Sequence, residues 1–437
     1  MTAGHLVATG RALVWSAATG GMGMRAIIIG GGIGGLATAL ALHAAGIAAA
    51  VYESAAEVRP LGVGINLQPH AVRELTELGL GEALAATGVA TQEFRYANRF
   101  GQTIWTEPRG LAAGYRWPQY SIHRGRLQVL LWRAAEARLG AARVQAGKRL
   151  VGFAQDAAGV TAQFADGTTA QGDVMIAADG IHSAVRAGFF PNEGAPKWNG
   201  ALLWRATSLA PPFLTGASMV QAGHRDTKFV CYPIGVAPDG RSIVNWIAEQ
   251  RYPTDTPWSR EDWNRPGDIA DFLPIFAEWN FGWLDVPALI RAAEAVFEFP
   301  MVDRDPLPWW TQGRVTLLGD AAHPMYPIGS NGASQAILDA RFLALQLATA
   351  ADVPAALAAY EAARRPATAA VVEANRGDGP DRVMDLVHAR APDGFTELEA
   401  VVPHAELEAT VMGYKRLAGF DPETLNRRES WSVPAAA

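Results

Sequence analysis

The run Gly30-Gly31-Gly32-Ile33-Gly34-Gly35 constrains this chain more than any other feature. It follows a short apolar strand, Arg25 to Gly30, and opens an Ala/Leu-rich helix, Ile33 to Ala45. Gly-x-Gly-x-x-Gly at a strand-to-helix turn lets backbone N–H groups and a helix N-terminus meet a pyrophosphate. A second strand, Ala48 to Glu53, ends in an acid about 20 residues on, where a carboxylate can accept hydrogen bonds from a ribose diol; Ser54 stands beside it. Strand, glycine turn, helix and strand form a βαβ unit, the opening of a doubly wound parallel sheet.

The pattern resumes far down the chain. Helices are expected at Pro69–Leu78 and Gly125–Leu139, a hairpin at Val160–Phe164 and Thr168–Gln171 around Asp166-Gly167, and a strand at Asp173–Ala177. Beyond Trp198 the character changes to aromatic-rich alternating strands, among them Lys228–Pro233 and Ser242–Ala248. Nine of the 14 tryptophans lie between Trp198 and Trp310, which suits a flat apolar cavity as well as a packed β-layer. A parallel-type strand returns at Arg314–Leu318 and a long helix at Gly332–Ala348, followed by helices at Pro354–Arg364 and Ala367–Arg376. The expected fold class is therefore α/β: a discontinuous doubly wound dinucleotide domain (24–190 and 301–376), an inserted β-sheet substrate domain (191–300) and a C-terminal helical tail (377–437). Residues 1–23 read as a leader with no assigned function.

Composition removes several classes of partner. A net charge of −6 offers no electrostatic footprint for nucleic acid. The lone cysteine, Cys231, permits neither an intramolecular disulfide nor a Cys-based metal site, which suits a reducing cytoplasm; no metal is expected. No segment holds the roughly 18 uninterrupted apolar residues of a membrane span. The sequence leaves a homodimer open.

Two further constellations follow apolar strands: Ala178-Asp179-Gly180-Ile181-His182-Ser183-Ala184-Val185-Arg186 and Leu318-Gly319-Asp320-Ala321-Ala322-His323-Pro324. Taken singly each reads as a turn. In this order, with the glycine run, they resemble the three FAD motifs of the single-component aromatic hydroxylases, the para-hydroxybenzoate hydroxylase-like flavoprotein monooxygenases. The resemblance implies that Gly30, Gly32, Gly34 and Gly35 hold the FAD pyrophosphate and Glu53, with Ser54, the adenosine ribose. It implies that Asp179 and Gly180 serve FAD and nicotinamide binding, and that Asp320 meets the ribityl and pyrophosphate part of FAD. Ser121 to Leu127 resembles the family's Arg-x-x-Leu element, making Arg124 a flavin contact, and Leu150 matches a position whose backbone meets adenine.

Residues 60–69, Met301 to Pro308 and Met325 to Asp339 look like the phenazine-tailoring branch, the 5-methylphenazine-1-carboxylate 1-monooxygenases. The tail after Arg376 follows that branch poorly. In the loop Pro327-Ile328-Gly329-Ser330-Asn331-Gly332, Ser-Asn-Gly stands where many hydroxylases carry Gly-Gln-Gly. The resemblance lays Pro327, Gly329, Ser330, Asn331 and Gly332 along the isoalloxazine, with the following helix pointing its positive end at the flavin.

The implied activity is hydroxylation of a small aromatic or N-heteroaromatic substrate with NADH or NADPH and O₂. In that family, hydride reduces noncovalently held FAD and a C4a-hydroperoxyflavin transfers the hydroxyl group. Side chains then have little chemistry to perform, and no catalytic residue is assigned. For substrate contacts, Trp204 and Arg205 face opposite sides of one strand, so only one lines the cavity. Arg205 can pair a substrate carboxylate or stand as a surface arginine, and His224 and Tyr232 can polarise a ring hydroxyl or serve only the structure. His323, close to Asp320, reads as structural. A flavin oxidase, an epoxidase or a Baeyer–Villiger enzyme shares these motifs, as does a non-catalytic binding protein on a related scaffold.

Overall fold

A computed structural model describes residues 23–60, 62–256 and 265–433. The leader up to residue 22, Leu61 of the 60–69 segment, and Trp258 and Trp263 lie outside the described residues.

One six-stranded sheet carries the sequence motifs. Its order is Thr311–Gln312, Val315–Leu317, Val174–Ala177, Arg25–Ile29, Ala48–Tyr52 and Val144–Gln145. All neighbours are parallel except the first pair. The inner strands are buried on both faces, which explains their unbroken apolar sequences. On one face, the helix Ile33–Ala44 packs against the helices Arg124–Leu139 and Gly332–Thr349. Its many alanines allow that close approach. Because the strands run the same way, the turns after Ile29, Ala177 and Leu317 emerge at one edge, the place where open parallel sheets bind ligands.

The second sheet has seven strands, ordered Ala293–Asp303, Lys197–Ala210, Ser242–Arg251, Thr227–Val236, Ser218–His224, Glu93–Ala97 and Thr103–Pro108. Strict alternation gives it two unlike faces. Trp204, Phe229, Cys231 and Trp246 point one way, into a core closed by Phe272 and Phe276. Phe94, Tyr96, Met219, Val230 and Tyr232 point the other way, under Val383, Met384, Leu407 and Val411 of the tail.

Two features differ from the sequence reading. Residues 93–108, within the segment assigned to the dinucleotide domain, pair into the seven-stranded sheet through the parallel contact of Glu93–Ala97 with Ser218–His224. The pair of helices expected around Pro366 is one helix, Val353–Arg376. Proline removes a single backbone donor, and burial of Leu357, Tyr360, Thr368, Val371 and Val372 carries the helix past it.

The tail is helical at Arg382–Arg390, Leu398–Val401, His404–Leu417 and Pro422–Arg427. Buried charges pin it. Lys228 Nζ lies 2.8 Å from Asp381 and 3.4 Å from Glu249, and Lys415 Nζ lies 2.6 Å from Glu107, which also pairs with Arg109. Among the described residues no helix is long and apolar enough to cross a membrane.

Truncating Lys228 would strand two buried carboxylates, a loss on the order of 3–5 kcal/mol. In urea melts, Lys228→Ala is therefore expected to shift the midpoint strongly, while Lys197→Ala, at an ion pair 60% exposed on the lysine side, shifts it by about 0–1 kcal/mol. Equal effects would show that the tail is not held at Lys228.

Candidate functional site

The glycine run is shaped by backbone contact. Gly30 has φ +104°, and a Cβ there would lie 2.3 Å from the Ala178 carbonyl oxygen; at Gly35 it would lie 2.0 Å from that of Gly30. A Cβ at Gly34 would press on Leu318 and Ala336, so three turns converge within van der Waals reach. At Gly32 nothing lies within 4 Å. Gly32 precedes a helix with no side-chain cap, so its first-turn N–H groups are left without a capping side chain. Glu53 is fixed at the side of this turn: one oxygen accepts from Gly31 N–H at 2.7 Å, and the other from Ala55 N–H at 2.7 Å and Ser54 Oγ at 3.1 Å. Gln128, not singled out from the sequence, donates to the Gly31 carbonyl at 2.9 Å. Leu150 starts a strand nearby with its side chain buried, and Lys148 N–H donates to the Glu53 carbonyl at 2.7 Å.

The Gly319–Asp320 turn rests on a carboxylate the sequence reading did not weigh. Asp339, fully buried, accepts from Gly319 N–H at 3.2 Å and Arg364 Nε at 2.7 Å, and lies 2.5 Å from His323 Nε2. His323 is thereby a structural partner. Asp320 points the other way. Its carboxylate is open to solvent yet walled by protein, as expected for a group lining a deep cleft. Desolvation raises its pKa above the usual carboxylate value, with His323 and Arg124 opposing and Asp339 adding to the rise.

The Asp179–Gly180 turn is tied to the same place by Arg186, whose Nη1 donates to the carbonyls of Ala321 and Ala322 at 3.1 and 2.9 Å. Glu193 holds that guanidinium and also accepts from Arg304 Nη1 at 3.2 Å. Arg304 Nε reaches the Ile181 carbonyl at 3.0 Å. Asp179 accepts from Ala184 N–H at 2.8 Å, and its other oxygen is buried without a hydrogen bond. Burial raises its pKa. Gly180 has φ +81° with open space where a side chain would be.

The loop from Pro327 to Gly332 leads into the helix Gly332–Thr349. Gly329 and Ser330 are both left-handed, with φ of 68° and 54°. Gln68 clasps them, donating through Nε2 to the Gly329 carbonyl at 3.2 Å and through its N–H to Ser334 Oγ at 3.1 Å. Arg124, at the start of its helix with its side chain exposed, is close enough to act electrostatically on both Asp320 and Arg205.

The substrate-contact candidates divide cleanly. Trp204 is excluded from the cleft: it is 1% exposed in the far core, stacked on Phe272 with ring centroids 4.8 Å apart. His224 is excluded too, stacked on His388 of the tail at 3.8 Å. Both follow from strand phase and tail docking, which turn Trp204 to the opposite face and cover His224 with a helix. Arg205 and Tyr232 share one face of the sheet, where each acts electrostatically on the other. Arg205 Nη2 donates to the Gly64 carbonyl at 2.8 Å, and its Nε has no partner. Burial lowers its pKa and pushes that of Tyr232 up to about 12. Asn245, cross-strand from Tyr232, accepts from Gly64 N–H at 2.7 Å and was missed because nothing local marks it.

The uncapped helix start, the open face of Gly32 and the unpaired Asp320 suit a dinucleotide with anionic phosphates and hydroxyl donors. Comparison with known proteins agrees. The FAD binding domain family model matches residues 24–196 and 302–375. The chain is 50% identical over 360 residues to phenazine 1,6-dicarboxylic acid hydroxylase of Lysobacter antibioticus, covering 80% of this chain and 88% of that protein. It is 34% identical over 345 residues to aurachin C monooxygenase/isomerase of Stigmatella aurantiaca, covering 78% and 85%. Among solved structures it resembles Klebsiella pneumoniae HpxO complexed with FAD and uric acid, with a TM-score of 0.72 and 28% identity over 92% of this chain and 96% of that one.

Replacing Asp320 with alanine is expected to weaken FAD binding by about 10- to 150-fold, the value of a charge-assisted hydrogen bond of roughly 1.5–3 kcal/mol. Fluorescence titration of the apoprotein measures it, and unchanged affinity would remove Asp320 from the site. The raised pKa adds a sign. FAD favours the ionised carboxylate, so affinity should fall as pH drops through the raised range, and this fall should be absent in Asp320→Asn.

Proposed function

Because the chain belongs to the FAD-dependent aromatic hydroxylases, we propose that its substrate is an N-heteroaromatic carboxylate of the phenazine class, recognised by Arg205. The protein is an FAD-dependent monooxygenase that uses NADH or NADPH and O₂ to hydroxylate an aromatic ring. When bound, FAD would supply the redox chemistry of the reaction. The chain binds, orients and excludes water.

In this reading the N–H groups after Gly30 and Gly32, with Gly34 and Gly35 admitting the close approach, hold the pyrophosphate. Glu53, steadied by Gly31 and Ser54, takes the ribose diol, and the backbone at Leu150 borders the adenine. Asp320 accepts from cofactor hydroxyls, Arg124 lies along the flavin, and the Pro327–Gly332 loop edges its ring. Asp179 and Gly180 form the wall where the nicotinamide reductant docks. FAD is held noncovalently. The lone buried Cys231 fits a reducing cytoplasm, and a homodimer remains part of this proposal.

One observation carries the substrate assignment. Arg205 is a guanidinium surrounded by protein, with no carboxylate partner among the described residues, on the sheet face that meets the flavin loop. Arg205 is half-buried, and a ligand carboxylate would supply the counterion it lacks. Tyr232 lies near that guanidinium and acts on it electrostatically. Leu203, Phe299, Tyr326 and Ile328, clustered on the same face, form an apolar wall suited to a flat ring and to excluding water. The name of the Lysobacter relative specifies a phenazine dicarboxylic acid, which agrees with both features.

A screen of aromatic acids for acceleration of NAD(P)H oxidation tests this, with phenazine-1,6-dicarboxylate, phenazine-1-carboxylate and unsubstituted phenazine as the decisive set. The carboxylates should accelerate oxidation and be hydroxylated. In Arg205→Met their KM should rise by about 10- to 150-fold, with little change for phenazine itself. An equal loss on all three would mean that Arg205 supports the fold rather than the carboxylate.

A further inference from the structure

Asparagine is among the best helix-capping residues, its side-chain oxygen accepting from a first-turn N–H. Asn331 stands at the start of the helix Gly332–Thr349 and does not cap it. Its backbone is already helical (φ −103°, ψ −20°). Its Nδ2 donates away from the helix, to the Tyr414 hydroxyl at 3.0 Å and the Gly329 carbonyl at 3.3 Å. Its Oδ1 is buried without a hydrogen bond. The first N–H of this helix to find a backbone acceptor is that of Gln335, bonded to Asn331 at 2.8 Å.

Tyr414 holds this arrangement from outside the dinucleotide fold. It belongs to the tail helix His404–Leu417, beyond the last residue of the FAD-binding match at 375. Its hydroxyl accepts from Asn331 and donates to Asn375 Oδ1 at 2.8 Å. Its ring fills the space beside Gly329, where a Cβ would lie 2.2 Å from the hydroxyl oxygen. The two left-handed residues preceding Asn331, one of them a serine, are thereby kept in a conformation that L residues disfavour.

We propose that the Tyr414 hydroxyl is a positioning group for the flavin site: it holds Asn331 out of the capping position and so leaves the positive end of the helix Gly332–Thr349 open to the cofactor. This rests on FAD binding in the cleft. Capping requires an extended backbone at Asn331, and the hydroxyl bond, with the ring packed on Gly329, opposes that change. Released, Asn331 closes the first turn with its own oxygen. The reduced, anionic flavin loses more by this than the oxidised form does.

Tyr414→Phe deletes the hydroxyl and keeps the ring. Its bound FAD should show about a tenfold weaker preference for the reduced over the oxidised form, a midpoint potential lower by about 30 mV for a two-electron couple. Asn331→Ala cannot cap. In that background, adding Tyr414→Phe should change the preference by less than about twofold, the strong non-additivity of residues acting as one unit. Equal shifts in both backgrounds, or none in either, would overturn the proposal. If Tyr414→Phe sheds its flavin, FAD retention becomes the readout: the double variant should regain FAD, and a double variant equally empty overturns the proposal. Wild-type protein that binds no FAD would instead overturn the reading of the cleft and this inference with it.

Discussion

The cleft depends on the buried carboxylate of Asp339. A single charged group, with no access to water, holds the Gly319 amide, the His323 ring and the Arg364 guanidinium together. Burying such a charge is costly unless every oxygen is used, and here both are. The return is geometric. The turn between a parallel strand and the following helix is fixed, Asp320 is turned into the cleft, and the helix Gly332–Thr349 starts beside it. Arg364 also binds Gln335 at 2.6 Å, so the long helix Val353–Arg376 is tied to the same point.

Two halves of a discontinuous domain must keep this register across an inserted sheet. Arg186, Glu193 and Arg304 do so in one network, joining the second motif to the backbone of the third and to the strand returning from the insertion. The inserted sheet contributes opposite chemistry from its two faces. One carries an aromatic core closed by Phe272 and Phe276. The other presents Arg205 and Tyr232 to the cleft and is closed behind by the tail, through Lys228 with Asp381 and Lys415 with Glu107. The loop Pro327–Gly332, the segment around Gln68 and the tail therefore meet at Gly329, where Gln68 and Tyr414 both pack.

Much of this was legible because it is local. Glycines at fixed offsets from an apolar strand announce a backbone demand, and the structure shows that demand as contacts no side chain could enter at Gly30 and Gly35. The order of three strand-end turns likewise placed Glu53, Asp179 and Asp320 at one sheet edge. What was not legible is set by long-range phase. Trp204 and Arg205 are neighbours on one strand, and only the assembled sheet decides which faces the cleft. Residues 93–108 lie in the segment assigned to the dinucleotide domain, and pairing with Ser218–His224 places them in the other sheet. Pro366 broke the helical pattern in sequence, whereas packing on both sides sustains it in space. Gln128 and Asn245 act on backbone remote in sequence, and no motif marks them.

The most direct test of the whole account follows the oxygen atom. A ring carboxylate that accelerates NAD(P)H oxidation is incubated with the FAD-loaded protein under ¹⁸O₂ in ordinary water, and the product mass is measured. The account predicts one ¹⁸O atom in the hydroxylated ring for each NAD(P)H productively consumed. A product carrying oxygen only from water, or an unchanged ring with all the reducing equivalents recovered as H₂O₂, would contradict it.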